Sequence, residues 1–397
     1  MSLNIAIGSS DGKDPHTVGA NACQDAFRKM RPQSPLFALV FISSSYDQEK
    51  AIKGIKSVAK DTPLLGTSSI GEMTHGSVLE RDSIIVVLLG GEGMFFASYL
   101  QDLSPSSSPG VLGKNAGESI IREMGTKPDL SFLFTDVLSG VEQHSIVAGL
   151  MDVTDAPIFG GGAADAFEFQ KTFQYFKGKA VSKSAVFASI KGDFEYGLGM
   201  AHGMLPVGMP RVVTDSSGVS IKKINDKPAV SLYGEYFGYK DLQHFTAEPI
   251  GGLSLSYPLG FRWKIGEKKI NVRAPLYLKS DGCLTCSDHI PKGSYVQIMI
   301  SDKDECLCSV RQAVERAKKM LGEKKKARLA LVVSGAGRQY SYGSNINEEV
   351  KEVEKCLDNK VPAVGFYSYG GISATPDHNE EQYSFFQDNS ISVCLLR

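Results

Sequence analysis

The sequence predicts an α/β protein whose mixed sheets are built from three pseudo-repeated strand-helix-strand-helix-hairpin units, with a mainly β connector before the third. Three observations predict it. The stretches PLLGTSSIGEM from Pro63, PIFGGGAADAF from Pro157 and PAVGFYSYGGI from Pro362 share a frame of Pro, two apolar residues and Gly. An apolar run stands upstream of each: LFALVFISSS from Leu36, LSFLFTDVLSG from Leu130 and ARLALVVSGAGR from Ala327. Their β-branched and aromatic content reads as buried strands ending in small-residue loops. Finally, the separation from strand start to Pro is the same from Leu36 to Pro63 as from Leu130 to Pro157.

Each unit then follows in order. A leading strand and helix come first: LNIAI with Val18 to Met30, MFFASYL with Val111 to Met124, and YVQIMI with Val310 to Leu321. After the second strand comes a second helix. Ala51, Ile52, Ile55, Val58 and Ala59 make one apolar stripe, and Ile346, Val350, Val353 and Leu357 make another. Val141 to Met151 is patterned less clearly. Beyond each Gly lies a hairpin-like stretch and a last strand, SIIVVLLG from Ser83, SAVFASIKG from Ser184 and SISVCLLR from Ser390. The units span 3–90, 94–192 and 295–397. Crossovers of this length imply right-handed parallel pairing, with the hairpins adding antiparallel strands. Residues 193–290, rich in Gly, Tyr and short alternating runs, form the connector.

Composition narrows the partners. With 397 residues, 42% of them hydrophobic, the chain is long enough for two or three globular domains. Its 43 basic and 44 acidic side chains give no electrostatic footprint for nucleic acid, and Lys324 to Lys326 read as a solvated helix end. No apolar run approaches the ~20 residues that span a bilayer, so no membrane insertion is expected. MSLNIAIGSS does not resemble a signal peptide, which leaves the cytoplasm as the expected location. Seven cysteines suit reduced thiols better than a disulfide framework.

The run GTSSIGEM, PIFGGGAADAF with the following FQYFKGKAVSKSAVFASI, the segment AHGMLPVG and the closing VPAVGFYSYGGISATPDHN together resemble the FIST family, a sensory module with amino-terminal and carboxy-terminal FIST domains. The resemblance makes 1–192 a FIST N-like region, 193–290 the connector and 291–397 a FIST C-like region. It implies binding of a small ligand, with amino acids the usual proposal, in signal transduction. Two positions depart from the family pattern: Ser334 stands where many members have Cys, and Gly371 where many have Glu. No kinase, cyclase or methyl-acceptor segment is present, so output is expected to pass to a downstream signalling protein.

The turn itself has two physical uses. Pro opens a strand where no ladder donor is needed, and Gly allows positive φ or close backbone approach. The loop beyond could instead offer backbone N–H groups and small hydroxyls to a carboxylate. Candidate ligand-binding residues are Thr67, Ser68, Ser69 and Glu72 in the first loop, and Gly161, Gly162 and Asp165 in the second. The third supplies Tyr367, Ser368 and Tyr369. Arg338 is a candidate for bidentate carboxylate pairing, or else a surface ion pair. His378 and Asn379 sit in a polar loop after the third turn. Glu72 or Asp165 would meet an ammonium, or else act as solvated or capping groups.

Several enzyme motifs are missing. The chain has no G-x-x-x-x-G-K-[ST] loop or HExxH, and PIFGGGAAD lacks the full G-x-G-x-x-G. Ser68 or Ser368 could serve as a nucleophile with His75, His202 or His378 as base, but no spacing selects a triad. A small-molecule hydrolase or transferase on the same scaffold is the alternative reading. Cys283-x-x-Cys286 and Cys306-x-Cys308 approach the spacing of a zinc site. Positions two apart on a helix face different ways, so idle thiols and no metal or other cofactor are expected.

Overall fold

The computed structural model describes residues 3–79, 81–104, 108–238, 251–376 and 382–397, so His378 and Asn379 lie outside the described residues. The chain is a mixed α/β protein in which three six-stranded sheets share one strand order. In the first, Asn4–Asp11 pairs antiparallel with Ser83–Gly90, which pairs antiparallel with Phe37–Ser43, which pairs parallel with Leu64–Ser69. The second has Phe95–Asp102, Ser184–Lys191, Leu130–Thr135 and Ile158–Gly162 in those places. In the third they are Tyr196–Ala201, Ile391–Leu396, Leu329–Gly335 and Ala363–Ser368.

The hairpins that complete each sheet come from elsewhere. Glu72–Thr74 and Ser77–Leu79 leave the first sheet and pair with Ala363–Ser368 of the third. Gly371–Pro376 and Gln382–Gln387 leave the third and pair with Ile158–Gly162 of the second. Gln174–Phe176 and Lys179–Val181 leave the second and pair with Leu64–Ser69 of the first. The exchange closes on itself, so each sheet edge beyond its parallel pair is covered by a neighbour.

The inward faces of the three sheets meet on an aromatic core. Phe41, Phe134 and Phe366, one from each sheet, form a triangle with ring centroids 4.5 to 6.2 Å apart. Helices cover the outward faces. Pro15–Met30 and Gln48–Ala59 bury Val18, Ala22, Ile52 and Ile55 against Ala38, Val40 and Val86. Gln143–Thr154 is the helix that follows Leu130–Thr135, and its amino-terminal Gln143 accepts from Thr135 Oγ1 at 2.7 Å.

One expectation is overturned. Tyr295–Ile300 does not lead the third sheet; it pairs with Leu205–Ser217 and Leu259–Arg262 in a fourth sheet. The leading place is taken by Tyr196–Ala201, and the reason is steric. Helix Lys303–Leu321 lies so close to that strand that a Cβ on Gly197 would meet the Ala317 carbonyl at 2.0 Å, and one on Gly199 the Ala313 carbonyl at 2.0 Å. Tyr295–Ile300 has no glycine to permit such contact. The fourth sheet has its own core of Val213, Tyr233, Phe261, Leu284 and Cys286.

Candidate functional site

The recurring Pro and Gly do the same thing three times. The carbonyls of Pro63, Pro157 and Pro362 accept the N–H of Ala38, Ser131 and Ala330 at 2.9, 3.0 and 3.0 Å, which starts each parallel pair. A Cβ on Gly66, Gly160 or Gly365 would meet the carbonyl oxygen of Val40, Leu133 or Val332 at 1.8, 1.9 and 1.8 Å. Any side chain there would push the parallel strands apart.

The loops beyond interlock in a ring. Ile70 N–H donates to Tyr367 O at 3.3 Å, Tyr369 N–H to Gly162 O at 3.2 Å, and Ala164 N–H to Ser68 O at 3.1 Å. In every case the donor stands four residues, and the acceptor two residues, beyond its Gly. Donors that a ligand could have used are thereby engaged within the protein.

Most of the sequence-predicted site residues lie inside this junction. Thr67, Ser68, Ser69, Glu72, Tyr367 and Ser368 are all wholly buried. Thr67 Oγ1 donates to Phe173 O at 3.3 Å, and Ser68 Oγ to Ala164 O at 2.8 Å. Ser368 Oγ donates to Gly370 O at 3.0 Å. Gly161 and Gly162 are packed by protein, since a Cβ on Gly162 would meet Val137 Cγ2 at 2.4 Å and one on Gly161 would meet Gly370 O at 2.8 Å. Glu72 accepts from the hydroxyls of Ser69 and Ser83. Burial pushes its carboxyl up to about 8 although both serines pull it down.

Arg338 is a buried cation rather than a surface one. Its Nε and Nη2 lie 2.7 and 2.6 Å from Glu349 Oε1, and Nη1 donates to Ser309 Oγ at 2.9 Å. Glu349 also accepts from Ser334 Oγ at 2.9 Å and Tyr367 Oη at 2.6 Å. The Ser334 that departs from the family pattern is thus one member of a satisfied polar cluster. The cysteine pairs belong to different cores, Cys286 to the fourth sheet's and Cys306 to the cluster around Val310 and Tyr342.

Asp165 has a different setting. It accepts backbone N–H groups from Phe169, Gln170 and Lys171 at 2.9, 2.6 and 2.8 Å, and Tyr369 Oη at 2.7 Å. The segment it gathers is strained, with Ala166, Phe167 and Phe169 at φ of 60, 68 and 53°. Bulky residues in the left-handed region persist only where surroundings over-determine them, and they collect at functional sites.

That strained segment walls a cavity of about 690 Å³. Ser43, Ser44 and Ser45, at the carboxyl end of strand Phe37–Ser43, line one part with Ile70 and Arg81. Asp165 to Glu168, Lys171 and Phe173 line another, and Gln339 comes from the segment beside Arg338. Its Nε2 donates to Ile70 O at 3.1 Å, tying that segment to the first loop. Lys171 Nζ lies 4.7 Å over the Phe173 ring. Of the sequence-predicted residues that the structure describes, only Asp165 lines this space, while Ile70 and Gln339 are chain neighbours of Ser69 and Arg338. Sequence reasoning missed Ser45, Arg81, Phe167, Lys171 and Gln339. The signal closest to them was the run DAFEFQK that follows the second glycines.

The sheet-built scaffold thus carries, beside its interlocked loops, a polar cavity lined by side chains of both charges. The chain belongs to the FIST family: the FIST N domain profile matches residues 36–227 and the FIST C domain profile residues 229–374. FIST domains are sensory domains of signal transduction. An uncharacterised protein of Methanocaldococcus jannaschii is 25% identical over 305 residues, which are 70% of this chain and 57% of the relative. The chain therefore spans less than two thirds of that relative's length. An uncharacterised protein of Mycobacterium tuberculosis is 21% identical over 383 residues, covering 95% of this chain and 96% of its own. Among solved structures, a cyanuric acid hydrolase aligns with TM-score 0.36 at 8% identity, covering 100% of both chains. A chorismatase aligns with TM-score 0.34 at 9% identity, covering 100% of this chain and 99% of its own. Among the described residues, no helix is long and apolar enough to cross a membrane.

Proposed function

We propose that this protein senses a small zwitterion, an amino acid above all, in the cavity walled by Ser43 to Ser45, Asp165 to Lys171 and Gln339. The observation that carries the reading is the chemistry of that wall. Arg81 and Lys171 offer cations to a carboxylate, while Glu168 offers a carboxylate to an ammonium and Asp165, its oxygens taken by backbone N–H groups and Tyr369 Oη, holds the segment that carries Glu168 and Lys171. The volume of about 690 Å³ falls in the range of small-molecule sites, at a strand carboxyl end where loops converge. Matching strand order and the loop ring support three pseudo-repeated units as the scaffold. In this reading 1–192 carries two units and the connector and 291–397 carry the third. Location in the cytoplasm and relay to a downstream signalling protein complete the proposal.

A thermal-shift screen across amino acids, keto acids and nucleotides, with mass analysis of each mixture, tests it. The expected result is saturable stabilisation by an unchanged amino acid, weakened roughly tenfold or more in Lys171→Ala without loss of fold. Chemical conversion of the hit would favour a hydrolase or transferase, and stabilisation untouched by both Lys171→Ala and Arg81→Ala would remove this cavity from the reading.

A further inference from the structure

A second cavity, of about 580 Å³, lies between the fourth sheet and strand Gln382–Gln387 and shares no lining residue with the first. Its walls are aromatic and cationic. Trp263 and Tyr383 line it with 57% and 43% of their surfaces exposed, although both are large side chains that folding ordinarily covers. Lys268, Lys269 and Arg273 line it too, against one lining acid, Glu267. That acid is already engaged, accepting the Trp263 N–H at 3.0 Å.

Arg273 supplies the second observation. Only 4% exposed, its guanidinium sits 5.6 and 5.5 Å from the Phe261 and Phe386 ring centroids. Nη2 lies 3.1 Å from Asp288 Oδ2, and Nη1 donates to Phe386 O at 3.0 Å. Its Nε, buried, has no hydrogen-bond partner among the described residues. Asp288 Oδ1 is likewise buried without a partner among the described residues, so this ion pair beside the cavity leaves both a donor and an acceptor unused, where buried polar groups are normally satisfied.

We propose that this cavity binds a planar aromatic anion, with its ring against Trp263 and Tyr383 and its acid group toward Lys268 and Lys269. Aromatic faces favour a flat ring, and the exposed Lys268 and Lys269 beside one engaged lining acid favour a negative charge on it, the Arg273 charge being met by Asp288. The site is separate from the amino acid cavity and stands or falls without it.

Trp263 is the chain's single tryptophan, so its fluorescence reports on this cavity alone. The full chain is titrated with adenosine monophosphate, benzoate, adenosine and inorganic phosphate. Saturable change with either aromatic anion is expected, with adenosine and phosphate at least tenfold weaker. The Lys268→Ala/Lys269→Ala variant, altered only at exposed positions, is expected to bind roughly five- to tenfold more weakly at an unchanged melting temperature. No saturable response to either aromatic anion overturns the proposal. So does adenosine or phosphate binding as tightly as the anions, or unchanged affinity in the double variant.

Discussion

Glu72 in the first loop and Glu349 near the third are both wholly buried, and the protein accommodates them in opposite ways. Glu349 faces the Arg338 guanidinium and keeps two further donors, Ser334 and Tyr367. Among the described residues Glu72 has no cation partner, only the Ser69 and Ser83 hydroxyls, and burial raises its carboxyl to about 8. One acid is balanced by charge and the other by holding its proton. The difference teaches that similar loop junctions tolerate different polar cores, each carboxyl group being met by its own set of donors. Asp165 is a third solution, an acid satisfied mainly by backbone N–H groups.

The largest break in that comparison is Arg338→Ala. It strands Glu349 in the interior, and removing one partner of a buried pair costs ~3–5 kcal/mol, read as a lower denaturation midpoint. Arg338→Met combined with Glu349→Leu should lose clearly less, because no charge is left unpaired. Equal losses in the single and double variants would mean that shape, not charge, is what Arg338 contributes.

Smaller losses follow at the second loop. Gly160→Ala places a Cβ against Leu133 O and should cost ~1–3 kcal/mol through overpacking. Wild-type stability in that variant would refute the close-approach explanation of the Pro-x-x-Gly frame. Asp165→Ala leaves three N–H groups and the Tyr369 hydroxyl without their acceptor, for ~1–3 kcal/mol. Faster amide exchange confined to 166–171 would be its signature, whereas exchange unchanged there would show that Asp165 does not hold the strained segment.

The last test reads the pH dependence of stability and is the sharpest test of the comparison. A carboxyl raised from 4.5 to about 8 contributes stability that is fully present below pH 4.5 and is lost as pH rises through about 8. Glu72→Gln should abolish that part of the decline, so wild type and variant diverge most above pH 8. The share due to Asp388, raised by burial to about 7, stays in both. Parallel stability curves for wild type and Glu72→Gln from pH 4 to 9 would show that Glu72 ionises without cost.

Much of the scaffold is legible in the residues. Apolar runs place the strands at Phe37–Ser43, Leu130–Thr135 and Leu329–Gly335, and the Pro-x-x-Gly frame marks the partner strand beside each. Far less of the site is legible. Arg338 looks like a ligand grip from its position after a strand, yet Glu349, eleven residues along the chain, turns it into a structural pair. Arg81 and Lys171 gave no signal, because a charged residue in a loop is usually just solvated.

What the sequence determined by itself is local: which segments become strands, where helices begin, and where Gly must stand so that two backbones can touch. These follow from periodicity and from the missing Cβ, which need no knowledge of distant residues. Only the tertiary structure decided that Tyr196–Ala201 rather than Tyr295–Ile300 leads the third sheet, since that depends on which strand has glycines under helix Lys303–Leu321. Only it passed each hairpin to a neighbouring sheet, because an edge strand offers the same unpaired N–H and C=O groups to any partner within reach. And only it brought Ser45, Arg81, Lys171 and Gln339 to one cavity, because convergence of loops from separate segments is set by how sheets pack, which no single stretch encodes.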